Sequence, residues 1–202
     1  MKIKHIIYIL SILLFTCCVE QQVKKDILGF IDTDNGKTVK SPSLFVPEKF
    51  EAPDLLIHDK FILLPLSVKY STLDYQAIIS SIEHLKSIFG TNTQWPEGLT
   101  IEQNIKEIEI HEEYFRNKNA FAYSVFTPDK KEIIGCVYIN PAYKKGYDAS
   151  VIMWVGKTSF EKGLDEILYK VVKGWLSEKW PFNNIAYPGR DISWEEWNKI
   201  KE

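Results

Sequence analysis

The stretch Asp148–Trp180, DASVIMWVGKTSFEKGLDEILYKVVKGWLSEKW, decides the fold. Its first part, ASVIMWV (149–155), is a continuous apolar run of strand length. Gly156 to Phe160 connect it to an amphipathic helix that opens near Lys162-Gly163. Leu164, Ile167, Leu168, Val171, Val172 and Trp175 recur at three- and four-residue steps, which places them on one helix face. A strand running straight into a helix N-terminus leaves free backbone N–H groups, and those can hold an anion.

Working outward, Asn183 to Tyr187 reads as a short strand after that helix. A helix between two strands implies a parallel pair joined by a right-handed crossover. Ser193 can cap a terminal helical turn through Trp197. Upstream, Ala120–Phe126 (AFAYSVF) alternates, and Thr127 to Lys131 makes a hairpin turn into Ile133–Ile139 (IIGCVYI), apolar as a central strand is. Thr100 with Gln103 has the form of a capping box for a helix striped by Ile101, Ile105, Ile108 and Tyr114. A helix from Ser71 to about Phe89 precedes it, and Phe61–Leu66 is the first strand, with Pro65 marking an edge or bulge. The order β-α-α-β-β-β-α-β predicts a mixed-sheet α/β domain spanning residues 55–202.

The 202 residues are 45% hydrophobic, enough for one well-packed domain. A net charge of −2 gives no basic field, so no nucleic-acid partner is expected. Lys2 and Lys4 precede an apolar run from Ile6 to Phe15, which is too short to span a membrane but has the length of a secretory signal core. Thr16-Cys17-Cys18 follows it and resembles the lipobox of bacterial lipoproteins, with either Cys17 or Cys18 as the lipidated residue. Residues 1–18 are thus expected to be a signal peptide of a membrane-anchored envelope lipoprotein. A single anchor helix from Ile3 is the other reading. Residues 19–54, polar and interrupted by Pro42, Pro47 and Pro53, are expected to be a tether. Cys136, within IIGCVYI, reads as a buried small hydrophobe.

The element order, with IIGCVYINP ahead of the strand–helix unit, resembles the GNAT acyltransferase superfamily over residues 61–187. The resemblance implies a GNAT-like acyl-CoA N-acyltransferase fold in which two parallel strands splay apart and acetyl-CoA enters the gap. Its pantetheine arm would pass Trp154, Val155 and Gly156, and its phosphates would lie near Lys157, Lys162 and Gly163. Asp148 is the candidate base and Tyr187 the candidate acid. The family's phosphate loop reads Gln/Arg-x-x-Gly-x-Gly/Ala, and here Phe160 and Asp165 stand at its first and last places. Asp165 sets a like charge against a pyrophosphate, which Lys157 and Lys162 partly offset. Ser150 stands where a catalytic carboxylate is common, and the chain ends at Glu202, so the fold is expected to be C-terminally truncated.

Other constellations are weaker. Gly156-Lys157-Thr158 lacks the earlier glycine of a nucleotide loop, with Val151 in its place. His111-Glu112-Glu113 lacks the second histidine of a zinc helix, so no metal is expected. Glu102, Glu107, Glu109, Glu112 and Glu113 read as a solvated acidic helix face. Two functions follow as expectations. One is an N-acetyltransferase of the cell envelope using acetyl-CoA. The other is a non-catalytic envelope lipoprotein that binds a small molecule or a protein partner through the same fold.

Overall fold

The computed structural model describes residues 45–86, 88 and 95–201. The described residues all lie in the compact unit Ser43–Glu202. The signal and lipidation assignments at Cys17 and Cys18 fall outside the described residues.

One six-stranded sheet organises the domain: β1 (Leu56–His58), β2 (Phe61–Pro65), β3 (Phe121–Phe126), β4 (Ile133–Pro141), β5 (Ala149–Val155) and β6 (Ile185–Ala186), neighbours in that order. Consecutive pairs are antiparallel up to β5, and β5–β6 is parallel. The helices are α1 (Ser71–Ile79), α2 (Ile82–Leu85), α3 (Ile101–Arg116), α4 (Lys157–Glu161), α5 (Leu164–Lys179) and α6 (Trp194–Lys199).

Both faces of the sheet are covered, which is why every residue of β3 is buried. On one face α5 sets Leu164, Leu168, Val172 and Leu176 against Val137, Ile139, Val151 and Met153. On the other, Ala77, Ile78, Leu85 and Ile108 of α1–α3 meet Ala122, Cys136 and Trp154. The strand period of two sends alternate residues of β5 into these two cores. Cys136 is fully buried, as its apolar surroundings predict.

The structure differs from expectation at three places. β1 is not legible because three residues carry no periodicity. It pairs with Phe61–Leu63 only, so Pro65 sits beyond it on a stretch whose outer edge needs no N–H donor. Residues 45–54, assigned to the tether, pack on the domain. Val46 is buried, Phe45 stacks on Phe182 at 4.9 Å, Phe50 meets Trp180 at 5.3 Å, and the Tyr123 hydroxyl donates to Pro53 O at 2.7 Å. The prolines stop regular structure there, while the interleaved aromatics supply the anchoring area. Finally, the helix read from Ser71 onward breaks at Ser80-Ser81 and resumes as α2. The Ser81 hydroxyl accepts the Lys157 N–H at 3.1 Å, so the break docks against the exit of β5. A Cβ on Gly156 would stand 3.1 Å from that hydroxyl, which explains a glycine at this close approach.

The capping box of α3 forms as expected: Thr100 Oγ1 accepts from Gln103 N at 3.2 Å, and Gln103 Oε1 from Thr100 N at 2.9 Å. Thr100→Ala should lower unfolding stability by about 1 kcal/mol in urea denaturation, and Thr100→Ser should recover most of it.

Candidate functional site

β5 and β6 pair at only two positions, Ala149↔Ile185 and Ser150↔Ala186. The Asp148 carboxylate secures this junction, with Oδ2 accepting the N–H groups of Asn183 at 2.8 Å and Asn184 at 2.9 Å. Asp148 N donates in turn to Asn184 O at 2.8 Å. Beyond Ser150 the strands part and a wedge opens between them. Successive backbone groups of a strand address opposite edges. The Gly156 N–H goes to Ile134 O of β4 at 2.9 Å, so the odd-numbered residues of β5, Met153 and Val155 among them, turn their backbone toward the wedge.

Arg190 fills that wedge. It follows Gly189, whose φ of +78° makes the turn a glycine position, and a Cβ there would meet Trp194 Nε1 at 2.8 Å. Nη1 and Nη2 of Arg190 donate to Asp165 Oδ2 and Oδ1 at 2.8 and 2.7 Å, a bidentate pair. Nη2 also donates to Met153 O at 3.3 Å, taking the carbonyl that β6 leaves free. The guanidinium stacks over the Tyr169 ring at 5.1 Å. Asp191 extends the network, accepting from Lys173 Nζ at 2.6 Å and from the Tyr169 hydroxyl. What remains of the wedge is a cavity of about 210 Å³, walled by Ile152, Met153, Phe160, Pro188 and Trp194 with the ion pair at its edge.

The two candidate catalytic residues stand elsewhere in this geometry. Asp148 is spent on the two backbone donors that hold β6. Tyr187 is buried against Tyr169 on the α5 side, and burial pushes its hydroxyl up to about 12. The candidate cofactor residues are divided as well. Trp154 is fully buried in the α1–α3 core, Val155 turns its backbone to the wedge, and Gly156 bonds to β4. Lys157, Lys162 and Gly163 are exposed. Gly163 is the N-cap of α5 at φ +75°, and α4 takes up residues 157–161 just ahead of it.

A second group of polar side chains lies on the opposite face of the sheet. Asn104, Glu107 and His111 recur about one turn apart along α3. Asn104 Nδ2 donates to Asp74 Oδ2 of α1 at 3.0 Å, both residues being buried. The His111 ring lies 5.3 Å from Tyr138. Burial pushes the Asp74 carboxyl up to about 6 and, aided by the Asp74 charge, Glu107 up to about 7, while it lowers His111 to about 4. Glu107 and His111 are half-buried, so they do not lie on a fully solvated face of α3. The available signal was spacing: Glu107 lies three residues after Asn104, and His111 three after Ile108.

Nineteen solved chains match this fold. A protein provisionally named ribosomal-protein-serine acetyltransferase, from Vibrio cholerae, superposes with TM-score 0.54 at 16% identity, covering 66% of this chain and 72% of that one. A ribosomal-protein-S5-alanine acetyltransferase from Vibrio fischeri gives TM-score 0.51 at 14% identity over 60% and 66% of the two chains. An acetyltransferase from Salmonella typhimurium, which modifies the N-terminal serine of a ribosomal protein, gives TM-score 0.51 at 13% identity over 64% and 71%. The fold is that of the GNAT acetyltransferases. No family model matches the chain, and no curated protein matches it.

Within the GNAT fold, the wedge between β5 and β6 is the position at which the resemblance places acetyl-CoA. The residues present do not fit that group. Arg190 covers the Met153 carbonyl that a pantetheine arm would need, Asp165 stands in the first turn of α5, and α4 replaces an open loop. Arg190 escaped the sequence reading because its role depends on the Gly189 turn and on a partner 25 residues away. Among the described residues, no group of three His, Cys, Asp or Glu side chains could hold a metal ion. Removing either partner of the Arg190–Asp165 pair should cost about 1–3 kcal/mol. A double-mutant cycle of Arg190→Met and Asp165→Asn, read by thermal unfolding, should return a favourable coupling energy.

Proposed function

We propose that the chain is a cell-envelope protein in which a GNAT fold acts as a binding module and not as an acetyltransferase. The observation that carries this reading is the Arg190 guanidinium, bonded at once to Asp165 and Met153 O in the wedge where acetyl-CoA would lie. An N-acetyltransferase reading needs that contact undone, a base other than Asp148 and an acid other than Tyr187. It also needs acetyl-CoA, a cytoplasmic cofactor, to reach an exported protein.

The envelope part of the proposal is supported by the N-terminal sequence: paired lysines, the Ile6–Phe15 apolar run, and Cys17-Cys18 directly after it. A lipid on one of these cysteines would tie the domain to a membrane surface. Such an anchor leaves the α/β domain free to take a small molecule or an envelope protein.

Acetyl-CoA titrated into the full chain should give no calorimetric signal and no thermal stabilisation. A bound ligand at 100 times its dissociation constant would stabilise the fold by about 2.7 kcal/mol, so a saturable shift of that size would overturn the non-catalytic reading. The anchor is tested separately. Labelled fatty acid should enter the wild-type chain, and one of Cys17→Ala or Cys18→Ala should abolish its incorporation and release the protein from membranes.

A further inference from the structure

At the end of the sheet away from the wedge, β1 is an edge strand with no outer neighbour among the described residues. Leu66 N donates to Ala122 O at 2.9 Å, so the even-numbered residues of β2 address β3 and the odd-numbered ones address β1. β1 therefore bonds inward through the His58↔Phe61 and Leu56↔Leu63 pairs, and Ile57 turns its N–H and C=O to the open edge. The strand period of two carries Leu55 to the same edge. The side chains of these two residues are open as well: Ile57 is 71% exposed and Leu55 43%. Pro53 ahead of them and the Asp59-Lys60 turn behind them confine any added pairing to the few residues between. Charge is distributed unevenly along this edge. Asp54 stands at its start, and His58 and Lys60 stand at its end. His58 Nδ1 is held by Asp59 at 2.7 Å, whereas Asp54 and Lys60 form no ion pair among the described residues.

We infer that the β1 edge takes a second copy of this chain, antiparallel about a twofold axis at Leu56, with Leu55 of each copy opposite Ile57 of the other. Leu55 N–H then meets Ile57 O and Ile57 N–H meets Leu55 O, once on each side of the axis, so the outward backbone groups satisfy one another. The apolar side chains are matched in the same register. Ile57 and Leu55 share one face of the strand, and each covers the other across the new pairing. The charges select the direction. An antiparallel copy brings Asp54 opposite His58 and diagonal to Lys60, so unlike charges meet at both ends, while a parallel copy would set like against like. One patch serves both partners, as a twofold interface requires, and pairing consumes both β1 edges, so assembly stops at the dimer. This surface lies across the sheet from the wedge and stands whether or not the wedge binds acetyl-CoA.

Sedimentation equilibrium of the full chain, in detergent and under reducing conditions, tests it across the micromolar to millimolar range. A monomer–dimer equilibrium is expected, and Ile57→Lys should raise its dissociation constant about tenfold or more. Ile79→Lys, at an exposed apolar position on α1, should dimerise as the wild type does. Asp54→Lys should weaken the dimer, and adding Lys60→Asp to it should restore association by exchanging the two signs. A monomer at every concentration, an assembly larger than a dimer, or a dimer that Ile57→Lys leaves intact overturns the inference. A double charge exchange that associates no better than Asp54→Lys overturns the antiparallel register. In the unaltered chain, amide exchange of Leu55 and Ile57 should slow about tenfold or more on concentration into the dimer. Exchange at those two amides that is independent of concentration overturns the inference equally, without reliance on any variant.

Discussion

The parallel pairing of β5 with β6 lasts two residues, and the character of the domain depends on what fills the space where it stops. Asp148 makes the start of the pairing firm by gathering two backbone donors of the β6 approach onto one carboxylate oxygen. Past Ser150 the backbone of β5 faces an open edge, and an unpaired carbonyl beside a buried wedge is costly. Arg190 satisfies Met153 O and is itself neutralised by Asp165, so one side chain meets both demands. A GNAT fold has to leave this edge available to a ligand. Here the protein supplies the donor itself.

The sheet also divides the domain chemically. The α5 face is apolar through Leu168, Val172 and Leu176, with an aromatic cap of Trp175, Trp180 and Phe182. The α1–α3 face mixes aliphatic contacts with Asp74, Asn104, Glu107 and His111. On that face the buried Asp74 carboxylate is met by one side-chain amide, with Asn104 Nδ2 donating to it at 3.0 Å. The sheet separates the wedge from the polar group around Asp74 and Asn104.

Elements with a strong local signal were legible. The α5 stripe, the Thr100–Gln103 box and the Ser193 cap, which closes with Glu196, are set by neighbours within one or two turns. β1 was missed because three residues cannot show a period. Residues 45–54 were misassigned because Phe45, Val46 and Phe50 gain their burial from strands and helices far along the chain. The candidate site was less legible still. Asp148 and Tyr187 were chosen for their residue type near the right strands, but one is taken up by backbone N–H groups and the other is enclosed. Glu107 was read as solvated from a run of acids; it is half-buried and stands three residues from Asn104, whose burial only the packing shows.

The sequence alone determined that a strand enters a helix at Gly156–Gly163, that a parallel crossover follows, and that the fold is a mixed α/β sheet. These follow from periodicity and caps, which act over a few residues. Only the tertiary structure decided what the wedge contains, because Arg190, Asp165 and Met153 meet through a turn, a helix terminus and a strand edge that no local pattern links. The same holds for Asp74 and Glu107, whose protonation depends on how much water the assembled layer excludes, and that is a property of packing and not of order along the chain.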